Sequence, residues 1–309
     1  MAGFAGQTIW VAGHRGMLGR ALAARFAGDG ATVIGEASAT LDLRDATATQ
    51  QWLERERPDV AVIAAARVGG VAAYEAAPFD YVSDNLAIAL AVTQAAVAVR
   101  LPRLVYVASA AAYPEHAPQP IAETALMTGP LDPAHRSYGL AKLAGIEAVA
   151  SAARQHGLNW FSVLPTNLYG PGGNSDAQRG HVLATLVSRM IAARDAGMDE
   201  VVIWGTGVAR RDFLHVDDCA DAIAHLLGHH HSTDPVNIGS GSDVSIADLA
   251  GIIRDIVGFR GTLRFDPDKP EGAARRLVDT ARLSATGWEP KIALRDGVVG
   301  LVRQMTCAV

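Results

Sequence analysis

The chain has 309 residues, of which 50% are hydrophobic and 19% charged, and its formal net charge is -5. This length suits one large α/β domain, or a large domain with a smaller lobe, and the composition is typical of a soluble protein with a sizeable core. The acidic balance argues against a nucleic-acid partner. The two cysteines, Cys219 and Cys307, are too few for a disulfide framework or a zinc cluster, and they favour a reducing compartment.

The sequence also argues against a membrane partner. No segment approaches the roughly 18 unbroken apolar residues that a membrane span requires. Residues Met1–Gln7 lack the basic start, the apolar stretch and the cleavage site of a signal peptide. We therefore expect a cytoplasmic protein.

Short apolar runs alternate with longer amphipathic segments through the first half of the chain. The runs predict buried strands, and the longer segments predict helices. The predicted strands are Thr8–Gly13, Thr32–Glu36, Val60–Ala66, Arg103–Ser109 and Trp160–Thr166, and the predicted helices are Leu18–Asp29, Ala46–Glu56, Asp84–Val99 and Tyr138–His156. This alternation favours a Rossmann-like, doubly wound parallel sheet of the α/β class. The proline-rich connection between Ser109 and Ser137 shows no long periodic element, and loops of this length are usually functional.

The rhythm changes after about residue 167. Tyr169–Asn174 is rich in glycine and has the composition of a loop. Further on, the patterns predict helices at His181–Ala196, Val216–Leu227 and Ile246–Ile256, and strands at Val201–Trp204, Pro235–Gly239 and Thr262–Asp266. We therefore predict a first domain at residues 1–166, and at 167–309 mainly a smaller C-terminal α/β lobe, with some chain returning to the first domain.

A glycine-rich turn lies between the first predicted strand and the first predicted helix. Gly13, Gly16 and Gly19 have the spacing G-x-x-G-x-x-G, with Arg15 and Met17 between them. Glycines let a backbone approach a pyrophosphate closely, and a helix N-terminus offers unpaired N–H groups to it. This position in the chain predicts a nicotinamide dinucleotide site, so residues 1–166 are expected to be a NAD(P)-binding domain.

The choice between the two nicotinamide cofactors depends on few residues. Arg15 favours the 2′-phosphate of NADPH, whereas Glu36 would repel it if its side chain points into the site. A solvated strand end explains Glu36 equally well. Asp42 and Leu43 are expected to reach the adenine, and a helix-capping role is equally open for Asp42. We expect NADPH, with NADH as the alternative.

Tyr138 and Lys142 stand four residues apart and therefore share one face of a helix. A carbonyl under reduction needs a proton, and an ordinary tyrosine, with a pKa of about 10, holds its proton firmly. A nearby lysine cation favours the phenolate and makes the phenol a better acid. Ser109, at the end of the fourth predicted strand, is placed to hydrogen-bond the same substrate oxygen.

The glycine turn, Ser109 and the Tyr-x-x-x-Lys pair together resemble the extended short-chain dehydrogenase/reductase superfamily. Longer strings are more specific. Those at Val11–Met17, Ala64–Gly70, Pro165–Pro171, Ile203–Gly207 and Arg211–Asp217 are similar to segments of the GDP-L-fucose synthase family. The resemblance covers essentially the whole chain.

Members of that family epimerise GDP-4-keto-6-deoxy-mannose at C3 and C5 and then reduce the C4 ketone with NADPH. By this resemblance Ser109, Tyr138 and Lys142 carry the reduction, and His181 matches the epimerisation acid. Besides the turn, the resemblance places Ala65, Lys142, Pro165, Asn167, Leu168 and His181 against the cofactor. It places Ser109, Tyr138, Asn167, Val182, Leu186, Arg189, Trp204, Arg211 and Arg276 against the GDP-sugar. The C-terminal lobe is therefore expected to be mainly a substrate lobe. Arginines suit a diphosphate, and a tryptophan offers a flat face to a base.

One position departs from the family. Its Ser-Ser-Cys-Ile-Tyr-Pro segment carries the cysteine that serves as epimerisation base, whereas this chain has Ser109-Ala-Ala-Ala-Tyr-Pro114, with Ala111 in place of the cysteine. Three explanations are open. The first is that the protein is a pure C4-reductase, which would suit a 6-deoxy-heptose pathway for a bacterial surface polysaccharide. The second is that it is a bifunctional synthase with an engineered Cys-to-Ala change. The third is that another residue serves as the epimerisation base.

Other classes of function fit less well. A non-catalytic dinucleotide-binding protein could lose Tyr138 or Lys142, and this chain keeps both. A metal hydrolase is disfavoured because the ten histidines form no ligand pattern; His229–His231 is more typical of a solvated loop. A 4,6-dehydratase would need an acid–base pair after Ser109, where alanines stand. The apolar, alanine-rich predicted helices at 84–99 and 138–156 indicate a homodimer.

Overall fold

The computed structural model describes residues 3–174, 181–269 and 272–307. The strands are β1 (Thr8–Ala12), β2 (Thr32–Ile34), β3 (Val60–Ile63), β4 (Arg103–Val107), β5 (Asn159–Pro165), β6 (Asn167–Tyr169), β7 (Glu200–Trp204), β8 (Arg210–Arg211), β9 (Phe213–His215), β10 (Val236–Ile238), β11 (Val244–Ser245), β12 (Thr262–Asp266) and β13 (Arg275–Arg276). The helices are α1 (Met17–Gly28), α2 (Ala46–Glu56), α3 (Val71–Ala76), α4 (Pro78–Ala98), α5 (Arg136–His156), α6 (Val182–Asp195), α7 (Val216–His229), α8 (Ile246–Val257), α9 (Ala281–Ser284) and α10 (Leu294–Cys307).

The central sheet has six parallel strands in the order β2-β1-β3-β4-β5-β10. This arrangement confirms the predicted Rossmann-like α/β fold. The strand order changes direction between β1 and β3. Parallel sheets bind their ligands in the crevice beyond the carboxyl ends of the strands at such a point.

Helices cover both faces of this sheet. Side chains alternate along a strand, so Trp10 packs with Trp52 of α2 on one face, while the adjacent Val11 packs with Phe26 of α1 on the other. Helices α2, α4 and α5 form the first layer, and α1 and α7 form the second. The two faces therefore have separate apolar cores, and the strand ends between them stay free to carry polar groups.

The C-terminal lobe has its own core, in which α6, α8 and α10 pack beside the parallel pair β7–β12. Two elements of this part of the chain belong to the central layers instead: β10 pairs with β5, and α7 packs on α1. The predicted strand at 235–239 therefore completes the central sheet. The domain boundary between residues 166 and 167 stays a prediction.

Several predicted boundaries were wrong. Helix α4 begins at Pro78, six residues before the predicted start, because proline is favoured in the first helical turn. The prediction missed the short helix α3 and the C-terminal helix α10 altogether. Four predicted strands ran on too far: β1, β2, β3 and β4 end before Gly13, Glu36, Ala65 and Ser109. These residues lie in the loops beyond the strand ends.

Helix α4 is, among the described residues, the one that is long and apolar enough to cross a membrane by length and composition alone. Its most apolar window is 44% buried inside the protein. The helix packs against α2 and α5, and a core helix of this kind passes the same test.

Candidate active site

A cavity of about 1380 Å³ opens at the carboxyl ends of the central strands and extends to the C-terminal lobe. Pockets for one small ligand have volumes of roughly 300–1,000 Å³. The larger volume here accommodates a dinucleotide and a second substrate side by side.

Almost every site residue predicted from the sequence lines this cavity. Of the residues expected to bind the cofactor, these line the cavity: Gly13, Gly16, Met17, Gly19, Glu36, Asp42, Leu43, Ala65, Lys142, Pro165, Asn167, Leu168 and His181. The remaining residues that line it are those expected to bind the substrate: Ser109, Tyr138, Val182, Leu186, Arg189, Trp204, Arg211 and Arg276. The exception is Arg15, which is exposed and lies outside the lining. Residues far apart in the chain therefore meet at one site.

The glycine turn brings the start of α1 close to the strand ends. Gly13 has a φ of +86°, and a Cβ atom there would lie 2.8 Å from the backbone of Ala65. A Cβ atom on Gly19 would lie 2.0 Å from the Gly13 carbonyl oxygen. The capping residue Gly16 has no side chain to occupy the first N–H groups of α1. This cradle fits a pyrophosphate.

Two arginines that the sequence analysis did not select, Arg44 and Arg67, also line the cavity. Both are paired with Asp84.

Arg44 lies in the loop after β2. Its guanidinium group donates to Asp42 at 2.8 Å and to Asp84 at 2.8 Å. The capping role considered for Asp42 is wrong, because Asp45 caps α2 by accepting from the Ala48 N–H group at 2.9 Å. The signal for Arg44 is weak in sequence, since it depends on α4 bringing Asp84 to the loop after β2.

Helix α5 holds Tyr138 and Lys142 on the same buried face, with 7% and 2% of their surfaces exposed. The Lys142 ammonium group donates to the Val107 carbonyl oxygen at 2.8 Å and lies 5.8 Å from the centre of the Tyr138 ring. The Ser109 hydroxyl accepts from the Ala111 N–H group at 3.2 Å. The end of β4 thus fixes two of the three groups expected to act in reduction.

Burial dominates the electrostatics of this pair. It raises the pKa of the Tyr138 phenol well above its ordinary value, with Tyr74 and Tyr106 adding to the shift and Ser109 opposing it. Burial also lowers the pKa of Lys142 to about 7. These directions differ from the expectation that the lysine would make the phenol a better acid, because desolvation penalises both charged forms. At neutral pH the phenol is therefore uncharged, whereas Lys142 is divided between its neutral and its charged form.

We expect this buried lysine to cost stability in a pH-dependent way. Its pKa is lowered to about 7 in the folded protein and is near 10.4 in an unfolded chain, so the unfolded state binds more protons between these values. The contribution of Lys142 to the free energy of unfolding should therefore rise with pH over this interval, by about 4 kcal/mol. Lys142→Met should remove that rise. Urea unfolding of both proteins at several pH values checks it, and parallel pH curves would contradict it.

Three side chains next to Tyr138 were not selected from the sequence. Tyr74 of α3 stacks on the Tyr138 ring at 5.2 Å between centroids, with an interplanar angle of 20°. The His135 ring contacts Tyr74 edge-on at 5.6 Å, and its Nδ1 atom lies 3.5 Å from the Asp132 carboxylate. All three line the cavity. They were missed because they lie on a short helix and a 3₁₀ turn, which have no clear periodicity.

The substrate end is formed by α6, β7 and the β13 segment. His181 precedes α6 and lines the cavity. Desolvation by the surrounding protein atoms lowers the pKa of its imidazole. Arg189 donates to the Val202 carbonyl oxygen at 2.5 Å, and Arg276 donates to that of Pro114 at 3.0 Å. Trp204 is 48% exposed at the cavity wall. A flat ring and several cations therefore border the region where a nucleotide diphosphate is expected.

Residues 9–239 match the NAD dependent epimerase/dehydratase family. GDP-L-fucose synthase 1 of Arabidopsis thaliana is 42% identical over 291 residues, which are 94% of this chain and 90% of that protein. A solved GDP-6-OMe-4-keto-L-xylo-heptose reductase from Campylobacter jejuni has a TM-score of 0.92 and 28% identity and covers 98% of each chain. MlghC, a GDP-mannoheptose C4 reductase from Campylobacter jejuni solved with NADP bound, has a TM-score of 0.88 and 30% identity, with coverage of 97% of this chain and 98% of that one. The chain therefore belongs to the NAD dependent epimerase/dehydratase family and is a homologue of the GDP-L-fucose synthases.

Proposed function

We propose that this protein reduces the C4 ketone of a GDP-4-keto-6-deoxy sugar with NADPH and does not epimerise C3 or C5. The observation that carries the proposal is the meeting of Ser109, Tyr138 and Lys142 in a cavity where Ala111 takes the place of a catalytic thiol. NADPH supplies a hydride when it is bound. Tyr138 donates a proton to the C4 oxygen, Ser109 hydrogen-bonds that oxygen, and Lys142 binds the ribose and stabilises the negative charge that develops.

Ala111 stands directly beside the catalytic helix. A Cβ atom on Gly139, the residue after Tyr138, would lie 2.3 Å from the Ala111 carbonyl oxygen. A methyl group cannot remove a proton from carbon. Cys219 is buried in α7 on the far face of the sheet, and Cys307 is exposed at the end of α10, so neither thiol lines the cavity. The position of the family's epimerisation base therefore has no thiol to serve it.

The proposed cofactor is supported by the glycine turn at the start of α1 and by the solved relatives. The uncapped start of α1 suits a pyrophosphate. The structure of MlghC holds NADP, and another Campylobacter jejuni relative, a GDP-D-glycero-L-gluco-heptose synthase at 29% identity, was solved in the presence of NADPH. Glu36 lines the cavity and Arg15 does not, so Arg44 and Arg67, which both line it, are proposed to accept the 2′-phosphate of NADPH. NADH is the alternative.

The sugar is proposed to be a 6-deoxy-heptose, as suits a surface-polysaccharide pathway. Solved neighbours that cover nearly the whole chain include two GDP-heptose reductases. A 6-deoxy-manno-heptose can keep its C3 and C5 configuration through the pathway, so it needs no epimerisation base. A bifunctional GDP-L-fucose synthase is the second candidate, favoured by 42% identity to the Arabidopsis enzyme. It requires another base, or a cysteine at position 111 in the parent sequence.

The protein is also proposed to form a homodimer through α4 and α5. These helices pack on each other and leave Phe79, Leu86 and Leu90 of α4 and Leu140 of α5 exposed, with 75%, 37%, 54% and 48% of their surfaces in solvent. A contiguous exposed apolar face is typical of an interface. Sedimentation at micromolar concentration that shows only the 32.3 kDa monomer would contradict the dimer.

The direct test is reduction of synthetic GDP-4-keto-6-deoxy sugars. The purified protein is mixed with the hexose or the heptose substrate and with NADPH or NADH, and loss of reduced cofactor and the C4 configuration of the product are followed. We expect stoichiometric C4 reduction, a higher kcat/KM with NADPH and a higher kcat/KM with the heptose. Cofactor oxidation that needs no keto sugar, or no turnover with either sugar, would refute the proposed function.

A further inference from the structure

A second polar group faces the cavity one turn before the catalytic tyrosine. His135 ends a 3₁₀ turn whose first N–H groups are capped by Asp132, which accepts from the Ala134 N–H group at 3.0 Å. The His135 Nδ1 atom lies 3.5 Å from the Asp132 carboxylate, and 32% of the histidine side chain is exposed. Reduction by Ser109, Tyr138 and Lys142 does not use either residue.

Asp132 is a buried anion that anchors this group. Its side chain is 8% exposed and lies between His135 at 3.5 Å and the Arg276 guanidinium at 3.7 Å. The His135 imidazole, the Ala134 N–H group and Arg276 lower the pKa of the Asp132 carboxyl to about 2, against the effect of burial. The carboxylate therefore stays charged at neutral pH and fixes the orientation of the imidazole.

Tyr74 sets the distance between His135 and the reaction centre. Its ring stacks on Tyr138 at 5.2 Å and meets the His135 ring edge-on at 5.6 Å. The Tyr74 hydroxyl accepts from the Gly69 N–H group at 3.3 Å, so the ring is held from both sides. Because Tyr74 contacts both rings, His135 lines the cavity one aromatic ring away from Tyr138. A sugar whose C4 oxygen met Tyr138 would therefore bring its neighbouring atoms, not C4 itself, toward His135.

We propose that His135, oriented by Asp132, hydrogen-bonds a hydroxyl on the exocyclic carbon chain of the sugar and thereby selects a heptose over a hexose. Because the Nδ1 atom faces the Asp132 carboxylate, Nε2 is the ring nitrogen left to hydrogen-bond a hydroxyl group in the cavity. The exocyclic chain is attached to C5, the neighbour of C4, and a 6-deoxy-hexose carries no hydroxyl on it. Sites that hydrogen-bond a substrate hydroxyl discriminate strongly against analogues that lack it.

This inference rests on the proposed sugar substrate, but binding tests it without turnover. With NADP⁺ saturating, the dissociation constants of a GDP-6-deoxy-heptose and a GDP-6-deoxy-hexose are measured by calorimetry. We expect His135→Ala to weaken heptose binding by about tenfold and hexose binding by less than about twofold. Asp132→Asn, which keeps the size of the side chain but removes the charge that faces both His135 and Arg276, should weaken heptose binding in the same direction and by less.

His116 provides the matched control. Its side chain is 85% exposed, it lies 3.8 Å from Glu115, and it does not line the cavity. His116→Ala should leave both dissociation constants unchanged. His135→Gln, which keeps a hydrogen-bonding side chain of similar length, should retain more heptose affinity than His135→Ala, and it replaces that variant if the alanine protein does not fold.

Three results would overturn the inference. If His135→Ala weakened the binding of both sugars equally, His135 would contact a group that the two sugars share. If the heptose dissociation constant did not change, His135 would contact neither sugar. Deuterium exchange at C3 or C5 in D₂O that disappears with His135→Ala would make it an epimerisation base instead. Failure of the wild-type protein to reduce either keto sugar would refute the proposed function, while a selective loss of heptose binding would still support this role of His135.

Discussion

Replacing Tyr138 by phenylalanine is expected to lower kcat for keto-sugar reduction by about a thousandfold. The phenol is 7% exposed and lies beside Ser109 in the cavity, and the proposed mechanism takes the proton for the C4 oxygen from this phenol. Because the phenylalanine ring keeps the stacking contact with Tyr74, the fold and the NADPH dissociation constant should not change. Stopped-flow measurement of cofactor oxidation and fluorescence titration of NADPH separate the two effects.

Tyr74→Phe is the control for this experiment. It also removes a phenol from the same stack, but that phenol accepts a hydrogen bond from the Gly69 N–H group and is not assigned to the substrate. We expect this variant to keep kcat within a few-fold of the wild-type value. Turnover by Tyr138→Phe at a similar level would show that another group donates the proton, and the proposed mechanism would be wrong.

The second large effect concerns exchange at carbon. When the wild-type protein is incubated with GDP-4-keto-6-deoxy-mannose in D₂O, we expect no enzyme-dependent deuterium at C3 or C5, because Ala111 offers no base. Ala111→Cys should introduce exchange, since a thiolate at this position lies in the cavity beside the helix that carries Tyr138. Mass spectrometry and NMR of the recovered sugar measure the label and its position.

Ala110→Cys is the matched variant, because Ala110 also lines the cavity and lies one residue away. We expect no exchange from it, since a thiol there points in a different direction from one at position 111. In the Ala111→Cys background, His181→Ala should reduce the formation of inverted product, because His181 matches the proton donor of the family. Exchange at C3 or C5 by the wild-type protein would refute the reductase-only proposal and favour the bifunctional one.

Local patterns were sufficient for the fold class and for the centre of the site. The alternation of strands and helices predicted a parallel sheet because a buried strand and an amphipathic helix each have a short, regular period. The glycine turn and the Tyr138–Lys142 pair were recognisable because each lies within a few consecutive residues. The overrun of the predicted strands past β1, β3 and β4 has the same cause: apolar residues continue from the sheet into the wall of the cavity.

Other features depend on contacts between distant segments. Tertiary packing placed β10 in the central sheet, excluded Arg15 from the cavity lining and brought Arg44 to Asp84 of α4. These placements join segments that are far apart in the chain, so the local sequence pattern around each residue does not predict them.

Tyr138 and Lys142 show the same division. The sequence determined that a phenol and an ammonium group share one helical face, because four residues make about one helical turn. Only the tertiary structure decided how each group is charged, since burial raises the pKa of Tyr138 and lowers that of Lys142 to about 7. It also decided that Tyr74 and His135 lie beside them. Desolvation and neighbouring charges depend on which segments surround a group, and that is a property of the folded chain.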